Sequence, residues 1–135
     1  MLNPNKYIRK AIIQALSPIP VFSNFVPKSI DTPDRYVLIT SMGKQEFARA
    51  KNCYEWQVSF NLDVFRVGTL GYDFSTDVDD MCEVIIPAIK ELSSEEVQIK
   101  NVYLEFENDL SFDSTTNSIN RRVLTYSVWC NYQEI

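Results

Sequence analysis

Histidine does not occur among the 135 residues, so the side chain that most often moves protons near neutral pH is missing. Cysteine occurs three times, at Cys53, Cys82 and Cys130, far apart and without a Cys-x-x-Cys pair. An odd, scattered set makes no disulfide framework, and without histidine a structural zinc site lacks its usual ligands. A reduced, intracellular place of synthesis is the expectation. Only three glycines are present, in neither a Gly-x-Gly-x-x-Gly run nor a Gly-Lys-Ser/Thr triplet, so nucleotide binding has no support. The longest apolar stretch, Val84 to Ile89, is interrupted by Pro87 and falls far short of the roughly 18 residues of a membrane-spanning helix. Near the start, Lys6, Arg9 and Lys10 precede a short apolar run that contains Gln14 and lacks a small-residue cleavage site, so no secretory signal is expected.

What remains for chemistry is acid. Asp73, Asp77, Asp79 and Asp80 cluster, but their spacing lacks the sixth-position glycine and terminal glutamate of a calcium loop. They fall where a helix should begin, which makes capping and solvation the better reading. Cys82 lies on an apolar helical stripe and Cys130 among strand residues, both structural positions; Cys53 is more open but has no evident activating partner. Asp63 and Glu55 share one face of a strand eight residues apart, roughly 26 Å at about 3.3 Å per residue, too far to work on one substrate. No catalytic residue, cofactor or metal is expected, and binding rather than catalysis is the anticipated mode of action.

Charge is present in unusual order. The net charge is −5, which argues against coating a phosphate backbone. Residues 1–53 hold eight bases against three acids, and residues 73–113 hold twelve acids against Lys90 and Lys100. The chain is strongly polarised along its length.

Hydrophobic content of 45% in 135 residues suits one well-filled core, hence one domain spanning 1–135. Asn3 and Pro4 read as an N-cap and first helical position, and Tyr7, Ile8, Ala11, Ile12, Ala15 and Leu16 form one stripe, giving a helix from Pro4 to Leu16. Ser17-Pro18-Ile19-Pro20 ends it. Extended runs follow at Val21 to Val26 and Tyr36 to Thr40. Ser41 to Asn52 loses its period and reads as a mobile loop or hairpin arm. Trp56, Val58, Phe60, Leu62 and Val64 alternate with polar residues in a long strand, Tyr54 to Val67, and the shift to Phe65 and Val67 predicts a bulge. Ser75 is the expected cap of a second helix whose inward stripe is Val78, Met81, Cys82, Ile85, Ile89 and Leu92, with a kink expected at Pro87. Strands at about Val97 to Phe106 and Arg121 to Tyr132 close the chain, separated by the polar stretch Glu107 to Asn120, a projecting arm or a segment ordered on binding. The order α-β-β-β-α-β-β predicts an α+β fold, a mostly antiparallel sheet of four to five strands with both helices on one face.

The opening helix Tyr7 to Leu16, the proline-bounded strand, Tyr36-Val37-Leu38-Ile39, the alternating strand Trp56 to Val64, the helix Val78 to Leu92 and the closing Arg122-Val123-Leu124-Thr125-Tyr126-Ser127-Val128 together resemble the tail-terminator and tail-completion proteins of tailed bacteriophages. The resemblance covers nearly the whole chain and lies in layout rather than in a signature motif. It implies a structural virion protein, made in the host bacterial cytoplasm. Such a protein forms a ring, hexameric by preference and dodecameric as the alternative, that ends the tail and joins it to the head. Its partners would be copies of itself, the tail tube and the neck or portal proteins. Double-stranded DNA would pass through the channel without specific binding.

The candidate contact residues are Lys44, Arg49 and Lys51 on the basic loop, Asp77, Asp80, Glu107 and Asp109 on the acidic segment, and Arg121 and Arg122. Alternation sends the two arginines to opposite faces, with one on the wet side. The bland readings are a solvated loop and charged gatekeeping of a strand end. The acidity of 73–113 and the long stretch from Glu107 to Asn120 depart from the family pattern. A ring built head to tail needs two different, complementary surfaces on each subunit, and the basic and acidic segments are candidates for them. An acidic channel lining that repels DNA is the other use of the same charge. Competing readings are a head-completion or portal-side adaptor ring, and a non-viral adaptor that binds a peptide at an open sheet edge.

Overall fold

Both helices cover one face of a single sheet, and the apolar stripes expected from the sequence meet there. The structure is a computed structural model and describes residues 3–50 and 53–133, the side chains of 48–50 and 132–133 excepted. The order is α1 (Pro4–Leu16), β1 (Val21–Ser23), β2 (Arg35–Ala50), β3 (Cys53–Thr69), α2 (Ser75–Lys90), β4 (Gln98–Asp109), β5 (Phe112–Asp113) and β6 (Asn117–Gln133). The sheet runs β1-β2-β3-β6-β4, with β5 also paired to β6. Only β1 and β2 are parallel; every other pair is antiparallel. The α+β class and element order hold, and the two-residue β5 brings the strand count to six.

The α1 cap is as expected: Asn3 Oδ1 accepts from the Asn5 N–H at 3.1 Å, and Pro4 occupies the first turn, where its missing N–H costs nothing. Ile8, Ala11, Ile12 and Leu16 are buried, Tyr7 is half-buried and Ala15 is exposed. In α2 the whole expected stripe is buried: Val78, Met81, Cys82, Ile85 and Ile89, with Leu92 just beyond the end. These stripes meet Trp56, Val58, Phe60, Leu62 and Val64 of β3 and Leu124, Tyr126, Val128 and Cys130 of β6. Phe60 lies opposite Tyr126, their rings stacked at 5.6 Å.

Several local expectations need correction. Ser75 is not the cap of α2; Phe74 holds that position without a side-chain bond, and Asp73 Oδ1 accepts from the Ser75 N–H at 2.9 Å. Pro87 lies in the last turn of α2 rather than near its middle. No bulge interrupts β3 beside β6: the register runs unbroken from Cys53↔Gln133 to Thr69↔Asn117. Phe65 and Val67 are apolar because the sheet's other face is locally apolar there. Phe65 stacks on Tyr36 at 4.8 Å, with the Arg121 guanidinium 5.6 Å from its ring. The register shifts lie in β2 and β4 instead. In β4 they set Lys100 and Glu105 out of register on an edge strand, where a charged bulge discourages pairing with a foreign strand.

Ser41 to Asn52 is largely hairpin arm: β2 runs on to Ala50, opposite Cys53, while 51 and 52 lie outside the described residues. Phe47 finds the apolar neighbour it needs in Trp129, stacked at 4.4 Å. The Glu107 to Asn120 stretch is folded back on the sheet. β4 continues to Asp109, β5 pairs β6 through Phe112↔Ile119, and Leu110 N–H donates to the Arg121 carbonyl at 2.9 Å. Gly68 is required by close approach, since a Cβ there would overlap the Phe74 ring, and Gly71 turns the chain at φ +90°.

Candidate functional site

Folding joins the basic and acidic segments at two ion pairs among the described residues, Lys10 with Glu96 and Arg35 with Asp77. Other pairs among the described residues likewise join segments far apart in sequence or across a turn. Lys10 of α1 reaches Glu96 at 2.8 Å, and Lys100 of β4 reaches Glu55 at 2.6 Å. Asp77 takes both Arg66 at 2.9 Å and Arg35 at 3.1 Å; these bonds, Arg66 first, hold its carboxyl below the usual carboxylate range. Arg66 also lies over the Phe74 ring at 4.2 Å and donates to the Val67 carbonyl. Asp77 therefore pins the start of α2 to β2 and β3.

The two arginines at the opening of β6 separate to opposite faces as alternation requires. Arg122 turns to the helix side and bridges Asp109 of β4 at 2.8 Å and Asp79 of α2 at 2.6 Å, with its side chain 14% exposed. Those pairings, Asp109 foremost, raise its pKa still further above the ordinary guanidinium value. Arg121 turns to the open face and meets Asp63 at 2.6 Å. Asp63, read from the sequence as a wet-face acid, is buried; Thr40 adds a second bond to it at 3.3 Å. Further along that face, Asn61 pairs with Thr125 at 2.9 Å and Gln57 with Ser127 at 2.5 Å, so the open face is a ladder of mutually bonded side chains. No local spacing announces it, since its partners lie on different strands.

The remaining candidates are spread over the surface. Lys44 is exposed on β2, 3.5 Å from Asn3 Oδ1 and 5.2 Å from the Trp56 ring. Arg49 lies in β2 opposite Tyr54, its side chain outside the described residues; Lys51 lies outside them altogether. Asp77 and Asp80 flank a depression of about 490 Å³ lined by Pro18, Ile19, Pro20, Met81 and Val84. Glu107 and Asp109 are exposed on β4; Glu107 joins Asp79 and Glu83 around a groove of about 520 Å³ over Cys82, Ile86, Pro87 and Arg122. The structure thus divides the described candidates among four places, the β2 arm, the depression beside Asp77, the α2–β4 groove and the open face at Arg121, rather than gathering them into one site.

Among the described residues, no group of three or more histidine, cysteine, aspartate or glutamate side chains is placed to hold a metal ion. No helix among them is long and apolar enough to cross a membrane. Burial pushes the Cys82 thiol up and the Cys130 thiol to about 11, which holds both in the unreactive protonated form at neutral pH.

Compared by sequence, the chain matches no protein-family profile and no curated protein. Compared by structure, it is similar to a chain in the solved "Virion of native gene transfer agent (GTA) particle", with a TM-score of 0.65 and 12% identity. The match covers 94% of this chain and 93% of that one. At that identity the likeness establishes a shared fold over nearly the full length of both chains.

Proposed function

We propose that this chain is a structural virion protein of a tailed phage or phage-like particle. In that role it forms a ring at the tail–neck junction, ends the tail and joins it to the head. The observation that carries this reading is the shared fold, end to end, with a chain of a virion particle. The sequence layout points the same way independently. The chain works by assembly rather than catalysis: Arg66, Arg121 and Arg122 are taken up in structural pairs, and the buried thiols are held protonated.

A ring subunit at a junction meets copies of itself laterally and different proteins above and below. Exposed Phe25, Tyr72, Val84, Phe106 and Phe112, each more than half exposed, supply apolar surface for such contacts. Native mass spectrometry at micromolar concentration, with and without added salt, tests the reading. A discrete ring-sized oligomer, six subunits by preference, supports it. A strict monomer under all conditions, together with no association with tail particles, sinks it.

A further inference from the structure

Two groups of charges without an ion-pair partner among the described residues lie at opposite edges of the sheet. At one edge α1 packs over β2 and β3. Lys6 is exposed on that helix, and Lys44 of β2 lies beside its capping Asn3. Neither lysine has an ion-pair partner among the described residues, and the nearby Arg9 Nε is shielded from solvent without a hydrogen bond. At the other edge α2 packs over β3, β6 and β4 and leaves the groove against β4. Cys82, Ile86 and Pro87 give it an apolar part, Arg122 lines it with its charge taken up by Asp79 and Asp109, and Glu83 and Glu107 stand at its rim.

Arg122 pairs with Asp79 and Asp109, and Glu83 and Glu107 are exposed with no ion-pair partner among the described residues. β2 and β4 are separated by β3 and β6, three strand spacings or roughly 14 Å. Among the described residues no ion pair joins Lys6 or Lys44 to Glu83 or Glu107.

We infer, on the ring reading above, that the α2–β4 groove receives the α1–Lys44 face of a second copy of this chain. Glu83 and Glu107 meet Lys6 and Lys44, and the apolar part takes the aliphatic lysine stems and Ile13, 43% exposed on the same helix. Joining one edge to the opposite edge of the next copy is a head-to-tail contact, the kind that closes into rings. Opposite charge across it fixes register and disfavours groove against groove.

The test is charge reversal in the full chain, read by sedimentation equilibrium at low and high salt. The wild type should associate, more weakly at high salt. The pairs Glu83→Lys/Glu107→Lys and Lys6→Glu/Lys44→Glu should each raise the apparent dissociation constant at least about tenfold. Carrying all four substitutions in one chain, or mixing the two paired variants in equal amounts, should restore association to within about threefold of wild type by the same charge matching. All four positions are exposed, and thermal melts check that the variants fold; Glu83→Gln/Glu107→Gln gives a neutral version of the same weakening if a reversal fails to fold. A wild-type oligomer indifferent to both pairs, or not rescued by their combination, overturns the assigned contact and leaves the ring reading standing. A wild type that stays monomeric overturns both.

Discussion

Arg121 Nη2 lies 2.6 Å from Asp63 Oδ2, one diagonal step across the β3–β6 ladder, and the Asp63 side chain is only 5% exposed. Removing the arginine leaves a carboxylate with little water and, among the described residues, Thr40 alone to bond it. Arg121→Ala should cost about 2 kcal/mol, less than a fully buried pair because the arginine itself is partly solvated. Lys100→Ala, which breaks an exposed pair, should leave the unfolding midpoint nearly unchanged. Urea unfolding measures both; equal midpoints would show that the Asp63 pair holds nothing.

Core packing makes a sharper contrast on α2. Ile85 is fully buried and Val84, its neighbour, is 61% exposed. Ile85→Ala should destabilise by about 2–4 kcal/mol through lost transfer energy and a residual cavity, and Val84→Ala should leave the melting temperature nearly unchanged. A large loss at Val84 would mean that the helix is rotated from the orientation described.

Acid should unfold the protein through particular carboxylates. Asp73, Asp77 and Glu96 all sit below their ordinary values of 3.8, 3.8 and 4.5, held there chiefly by the Ser75 N–H, Arg66 and Lys10 respectively. A carboxyl lowered in the fold stabilises fully above its unfolded pKa, and that stability is lost as pH falls through the folded value. With no histidine, the stability curve should be flat from about pH 5 to 8 and drop below about pH 4. At the alkaline end the sign reverses. The folded state keeps the Cys130 proton to about 11 while the unfolded thiol releases it near 9.0, so stability falls as pH rises past that lower value. Chemical unfolding from pH 3 to 10 checks the profile, and a step between pH 6 and 7 would contradict it.

Thiol reactivity separates the three cysteines. Cys53 is half-buried, while Cys82 and Cys130 are 4% and 2% exposed. A thiol reagent on the native protein should modify Cys53 alone and reach the others only on unfolding. Fast labelling of Cys82 would mean that the α2–β4 groove opens to its floor.

The elements most legible in the sequence are those whose signal is local. The α2 stripe from Val78 to Leu92 and the β3 alternation from Trp56 to Val64 each follow from one period, and both are found where they were expected. Phe65 and Val67 misled because period alone cannot distinguish a phase change from a second apolar face, and that face depends on Tyr36 of another strand. Ser41 to Ala50 looked irregular because its two register shifts break the alternation while the strand continues. The candidate charges were legible as charges but not as pairs. Arg121 and Asp63 are 58 residues apart, and only the strand register brings them together. In the acidic segment Arg122 neutralises Asp79 and Asp109, a pairing across strands and helix that no local spacing encodes.

The most direct test of the central claim is negative-stain electron microscopy of the purified protein at micromolar concentration and low salt, with class averages counted for subunits. Closed rings with a fixed subunit number, six by preference, are the expected result. Fields of single 15.7 kDa subunits, or two-fold dimers joined through one shared face, would contradict it.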